Sequence, residues 1–234
     1  VTAEPTAALN TADTYARFLP GIIVASVVDG RLLDKAGDES FACAVMFADI
    51  SGFTPLTARY AADPDAGPEK LTAVLNDYFT DLVRIVAEHG GDVLKFAGDA
   101  VLAIWRDESD AQSVEDLADA SWRAAQCGLA IQAALCDYRV GPDQLSLRVA
   151  IGAGSARIVH VGGVRGRWEF LFAGKPLDQV SAVGDLIEPG TVGISDRIRE
   201  LLADHAPAWP RCSPVTDGVF HLEGVAPLAL PSVR

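Results

Sequence analysis

From Phe41 to Ile50 nearly every residue is apolar or small. Asp49 breaks the run near its end, and Ser51-Gly52 turns the chain at once. A strand apolar on both faces must be covered on both faces, so the chain needs a layered core of helices packed on a sheet. Asp49 then places a carboxylate at the end of a buried strand, with a tight loop behind it. Farther along, Val93 to Leu102 has the same character. Two short apolar runs flank Gly98-Asp99, which reads as a hairpin with an acid in its turn.

The rest of the chain is ordered around these two stretches. Pro68 suits a first helical turn, and Leu71, Val74, Leu75, Tyr78, Phe79, Leu82, Val83 and Val86 form one apolar helical face, ended by Gly90-Gly91. Ser113 and Asp116 resemble a capping box before a helix from Val114 to about Tyr138, whose small residues Ala118, Ser121, Ala125 and Gly128 suit close packing on a sheet. Leu145–Gly152, Ala156–Val161 and Trp168–Ala173 read as strands. A helix follows from Gly174-Lys175-Pro176 to about Ile187, then a strand over Thr191–Ser195, a short helix over Asp196–Ala203 and a last strand over Val219–Leu222. The order is an α/β (α+β) arrangement with a ferredoxin-like βαββαβ core and added strands and helices. Residues 1–40 read as an N-terminal arm and 41–234 as one domain with a C-terminal extension. Within the arm, Thr11–Phe18 suggests a short helix, Ile22–Val28 a strand or buried extended segment, and Asp34–Ser40 a polar loop.

Composition narrows the function. Half of the 234 residues are hydrophobic and the formal net charge is −13. That is globular rather than disordered, and a surface so acidic argues against nucleic acid and membrane surfaces as partners. The longest apolar run, Gly21 to Val28, is too short to span a bilayer, and the first twenty residues lack a signal-peptide pattern. The start at Val1 suits a piece of a longer protein. Cys43, Cys127, Cys136 and Cys212 lack the spacing of a zinc or redox motif, and read as reduced thiols of a cytoplasmic protein.

Two strand-end carboxylates beside glycine loops suit magnesium, a hard ion held by one or two carboxylates plus substrate phosphates. Asp49 and Asp99 are the candidate ligands, with the Ile50 carbonyl as a third. The turn Ser51-Gly52-Phe53-Thr54 offers backbone N–H groups to phosphates if a helix starts there. The plainer alternative is that Asp49 caps that helix and Asp99 merely suits a turn. Arg165 and Arg167 lie in and just after a glycine-rich loop, Gly162 to Gly166, and either meet a phosphate or are simply solvated.

Phe-Ala-Asp-Ile-Ser-Gly-Phe-Thr followed by Lys-Phe-Ala-Gly-Asp-Ala resembles the class III nucleotidyl cyclases, and within them the first catalytic half of soluble-type adenylyl cyclases. The resemblance covers about Phe41 to Ser195. It implies two magnesium or manganese ions on Asp49 and Asp99, which are the catalytic positions. It also implies a triphosphate-wrapping loop over Gly52–Thr54, with Ser51, Gly98 and Arg167 as further nucleotide candidates. Lys95 matches the purine-reading lysine of complete members, which in first-half domains faces a second, pseudo-symmetric pocket. In soluble-type enzymes that pocket is a bicarbonate site.

The chain departs from the pattern elsewhere. Complete members carry Asn and Arg four residues apart on the helix after the last core strand; here Asp178 and Ala182 stand there. The other purine-reading position is Leu171, and the arginine of a bicarbonate pocket falls at Ser181. The resemblance therefore implies the metal-binding half of an adenylate cyclase, acting on ATP with a complementary half-domain, in a heterodimer, within one chain or as a homodimer. The alternative is a non-catalytic nucleotide-binding or dimerisation module. Lys95 disfavours a guanylyl cyclase.

Overall fold

The computed structural model describes Ala16 and residues 19–30, 36–62, 67–106, 113–205 and 210–225. Helix α1 (Gly21–Val28) leads into β1 (Gly37–Ser51), α2 (Phe53–Ala61), α3 (Gly67–Glu88), and the hairpin β2 (Asp92–Ala97) and β3 (Ala100–Trp105). Then come α4 (Val114–Leu135), β4 (Tyr138–Val140), β5 (Asp143–Val164) and β6 (Arg167–Gly174). The chain closes with α5 (Lys175–Gly184), β7 (Val192–Ser195), α6 (Asp196–His205), β8 (Arg211–Thr216) and β9 (Val219–Gly224). The sheet runs β2-β3-β1-β5-β7-β9-β8, with β4 and β6 also paired to β5. Its β2-β3-β1-β5 portion is the ferredoxin-like order that the βαββαβ succession requires.

Alternation along β1 divides the core. Ala44, Met46, Ala48 and Ile50 point into the larger cluster, packed with Tyr78 and Leu82 of α3, Ala124 and Ile131 of α4, and Leu201 of α6. Phe41, Cys43 and Val45 point to the other face, where Ile22 and Ile23 of α1 and Val180 and Val183 of α5 cover them. Asp49 shares the parity of Val45 and Phe47, so its carboxylate opens on this second, less covered face.

The boundaries differ from the sequence reading in several places. The segment at Ile22–Val28, read as extended, is the helix α1. It has Pro20 at its N-cap and no side-chain cap of its own, and the Asp92 carboxylate accepts from the Gly21 and Ile22 N–H groups at 2.9 Å each. Strand β1 starts at Gly37, inside the stretch read as loop, because β5 pairs with it as far as Gly37↔His160. The strands expected at 145–152 and 156–161 are one continuous β5 of 22 residues. Helix α4 ends at Leu135, and Tyr138–Val140 forms a short strand instead of a last turn. The helix expected over Thr11–Phe18 lies largely outside the described residues.

Helices α3 and α4 form as their patterns require. The Ser113 hydroxyl accepts from the Asp116 N–H, the Asp116 carboxylate accepts from the Ser113 N–H, and the capping box is complete. Gly90, at φ +70, ends α3, and position 91 must also be glycine because a Cβ there would lie 2.5 Å from the Trp105 ring. The indole N–H of Trp105 donates to the His89 carbonyl at 2.9 Å. His160 is buried and stacked on Trp168 with ring centroids 4.6 Å apart.

Candidate active site

One corner of the sheet gathers most of the candidate residues. In register, Asp49 pairs with Ala100 of β3 on one side and Arg148 of β5 on the other. Gly98, at φ +68, makes the tight β2–β3 turn, and the Ile50 N–H donates to the Asp99 carbonyl at 3.4 Å. That bond fastens the acid-bearing turn to the end of β1. Asp49, Ile50, Gly98 and Asp99 therefore lie together, as their spacing suggested.

The chain then turns through Gly52, at φ +92, into α2. A Cβ at Gly52 would stand 2.9 Å from the Gln144 carbonyl oxygen, so both the dihedral and the close approach require glycine. No side chain caps α2, and the backbone N–H groups over Phe53 and Thr54 face outward at its positive end. At the other end of α2, Arg59 pairs with Asp143 at 2.8 Å. Helix α2 is thus held to the start of β5 at both its ends.

The sequence reading did not single out Arg148. Its Nε and one terminal nitrogen both reach Oδ2 of Asp49 at 2.8 Å. A signal was present: an arginine between Leu147 and Val149 in an apolar strand needs a polar partner. The pair opens into a cleft of about 120 Å³ shared with Phe47, Val180, Ser181 and Asp185. Ser181, at the position of the arginine expected in a bicarbonate pocket, lies beside Asp49 and Arg148 in this chain.

The donor set fits a cation that shares its ligands with phosphate. Among the described residues no three His, Cys, Asp or Glu side chains come together as a metal cluster. Two carboxylates and a carbonyl are too few for a closed protein cage, and they match what magnesium takes when substrate oxygens complete its shell.

Lys95 lies outside this corner. It is exposed on the edge strand β2, not on a buried strand, so burial does not force a partner on it. Among the described residues no carboxylate pairs with it, Asp99 included. Lys95 instead lines a cavity of about 870 Å³ with Leu94, Phe96, Phe170, Leu171 and Phe172. The two positions matched to purine reading, Lys95 and Leu171, thus share one largely apolar chamber. Asp178 and Ala182 are both exposed on α5. The Gln179 side chain between them seats that helix: its Oε1 accepts from the Ala153 N–H at 3.0 Å and the Ser195 hydroxyl at 2.7 Å, while its Nε2 donates to the Ala153 carbonyl at 3.0 Å. Gly152 permits this approach, since a Cβ there would lie 2.7 Å from that of Gln179.

Arg167 is not brought to the corner. It begins β6 beyond the β5–β6 turn, while Arg148 lies near the start of β5. At ~3.3 Å per residue the two are separated by roughly 50 Å of strand path.

Comparison with known proteins agrees with this architecture. Residues 38–215 match the family model described as the adenylate and guanylate cyclase catalytic domain. "Adenylate cyclase type 10" of Mus musculus is 34% identical over 160 residues, covering 67% of this chain and 10% of that protein. The Homo sapiens counterpart is 33% identical over the same length. The chain thus spans about a tenth of the length of these relatives. Among solved structures, the adenylyl cyclase CyaB from P. aeruginosa superposes with a TM-score of 0.60 at 21% identity, covering 81% of this chain and 97% of that one. The guanylate cyclase domain of RhGC from Catenaria anguillulae, in complex with GTP, gives 0.62 at 15% identity, covering 80% and 100%. Among the described residues no helix is long and apolar enough to cross a membrane.

Proposed function

The chain belongs to the adenylate and guanylate cyclase catalytic domain family, and on that footing we propose that it supplies the metal-binding half of an adenylate cyclase. The reaction converts ATP to 3′,5′-cyclic AMP and pyrophosphate. The observation that carries this reading is the corner itself, where the Ile50–Asp99 backbone bond brings the two stretches that bear Asp49 and Asp99 together beside the uncapped start of α2. Two magnesium or manganese ions bound there would lower the pKa of the attacking hydroxyl and neutralise the leaving pyrophosphate.

This chain's own residues do the holding. Asp49, Asp99 and the Ile50 carbonyl present oxygen ligands. Ser51, Gly52, Phe53 and Thr54 aim backbone N–H groups at the triphosphate. Arg148 has a guanidinium within reach of the same corner and adds a charge-assisted donor. The 3′-oxygen bonds to the α-phosphorus, the bond from that phosphorus to the bridging oxygen breaks, and pyrophosphate departs. What this chain lacks is the group that meets the developing charge. Ala182 has no donor, and Asp178 has a carboxylate where an amide is needed. A complementary half must bring those groups and read the base. The likeness to adenylate cyclase type 10 supports ATP as the substrate. A cytoplasmic protein with reduced thiols suits that substrate.

The test is cyclic AMP production from manganese-ATP by the purified domain over a range of concentrations, alone and with a half-domain carrying the Asn and Arg pair. Little product alone and rescue by the added half is the expected result. Product rising steeply with concentration means a working homodimer and overturns the division of labour. In the reconstituted pair Asp99→Ala abolishes product; retained activity removes the metal assignment. A second reading, a non-catalytic nucleotide-binding or dimerisation module, draws on Asp178 and Ala182. It predicts no rescue by any complementary half.

A further inference from the structure

We propose that Arg148 makes the metal corner accept its cation only together with a triphosphate, by holding Asp49 until phosphate oxygens offer the guanidinium a better partner. The inference rests on the reading of Asp49 as a metal ligand.

Three observations carry it. First, both contacts from Arg148 converge on a single oxygen, Oδ2 of Asp49, at 2.8 Å. The pair is fixed by direct cross-strand register rather than by a flexible loop. Secondly, Asp49 is not sealed away. Its side chain is 24% exposed and that of Arg148 37%, and both line the cleft beside Ser181 and Asp185. The pair can therefore open without unfolding the strand. Thirdly, a guanidinium has five donors, and Asp49 accepts one of them, from Nε. The remainder suit a group with several acceptor oxygens, which a triphosphate is and a lone carboxylate is not.

The consequence is an order of loading. For a free divalent cation, Asp49 is already neutralised, and binding sets its charge against that of the displaced guanidinium at close range. When a triphosphate arrives with the cation, Arg148 moves its donors from carboxylate to phosphate as Asp49 is released. Each partner then raises the affinity of the other, and by linkage the coupling is the same in both directions. Free magnesium or manganese gains little hold on the domain between turnovers.

The experiment measures Mn2+ binding by electron paramagnetic resonance, with and without a non-hydrolysable ATP analogue, in the wild-type chain and in Arg148→Met and Arg148→Lys. Expected is a split of opposite signs. Arg148→Met binds Mn2+ alone about threefold to tenfold more tightly than wild type, the range set by one partly exposed charge-assisted pair. It binds the analogue with Mn2+ about tenfold or more weakly. Arg148→Lys lies between, because it keeps the charge and loses the fork. A purely structural pair would weaken both, or leave Mn2+ alone unchanged, and either result overturns the exchange.

If wild type binds Mn2+ neither alone nor with the analogue, the metal reading itself fails and takes the exchange with it. If wild type binds the loaded nucleotide but the variants show no split, only the exchange fails. Should the variants not fold, the Hε resonance of Arg148 in the wild-type chain decides. It stays in place with Mg2+ alone, at a concentration that saturates the complex, and shifts when the analogue is added. A shift with Mg2+ alone overturns the proposal.

Discussion

Two glycines of the candidate site, replaced by alanine one at a time, separate backbone strain from steric conflict. Gly98 sits at φ +68 with nothing within 4 Å of where a Cβ would be. Its replacement meets the left-handed backbone penalty alone, about 1–2 kcal/mol. Gly52 sits at φ +92 and adds a clash, because the new Cβ lies 2.9 Å from the Gln144 carbonyl oxygen. That oxygen belongs to the backbone of a paired strand and cannot swing aside as a side chain would. Forcing a methyl into such a contact adds about 1–3 kcal/mol, so Gly52→Ala costs about 2–5 kcal/mol in all. For a chain of this size each kcal/mol lowers Tm by about 2–4 °C. Urea and thermal unfolding of both variants give the comparison. Gly52→Ala is the less stable of the two, and it alone shifts α2 away from β5, weakening binding of an ATP analogue with Mn2+ more than its stability loss accounts for. Equal destabilisation of the two variants would refute the reasoning, since the close contact with Gln144 is present at Gly52 and absent at Gly98.

Two further outcomes follow from other parts of the fold. Burial pushes the Cys43 and Cys127 thiols up from an ordinary 9.0 to about 12. From pH 9 to 12 the unfolded chain therefore releases protons that the folded chain keeps, and stability falls as pH rises; a Cys43→Ala, Cys127→Ala variant has a flatter slope of urea midpoint against pH, and an unchanged slope removes the cause. Asp92→Ala strips α1 of the carboxylate that caps it from 71 residues away, at a cost of about 1–2 kcal/mol. Amide hydrogen exchange over Gly21–Val28 then accelerates while that of α3 does not, and an unaltered rate in α1 shows that apolar contacts alone hold it.

How much of this was legible in the sequence depends on how local each cause is. Helix α3 and the β2–β3 hairpin were readable because their signals, a 3.6-residue apolar period and a Gly-Asp turn, lie in the elements themselves. Helix α1 was not, because Gly-Ile-Ile-Val-Ala-Ser-Val-Val is apolar without period and its cap comes from Asp92. The continuity of β5 was hidden by Gly152 and Gly154. They read as a break, yet they are the places where α5 presses against the strand. Strand β8 was not read, and it carries Pro214 in its interior. Its place at the sheet's end, beyond β9, tolerates a residue without an N–H. In the candidate site the acids at the strand end and hairpin turn and the tight turn at Gly52 were visible, being sequence-local. Arg148 was not, since its meaning comes from the register that sets it across from Asp49.

The seating of α5 separates where that helix stands from what it presents. Gln179, Gly152 and Ser195 fix its position from the inner side, while Asp178 and Ala182 face solvent and take no part in that attachment. The helix is therefore an interchangeable fitting. A lineage, or an engineer, can swap the outward groups at 178 and 182 at the cost of a surface substitution, a few tenths of a kcal/mol. The groups that the helix presents can therefore change while the sheet beneath is left untouched.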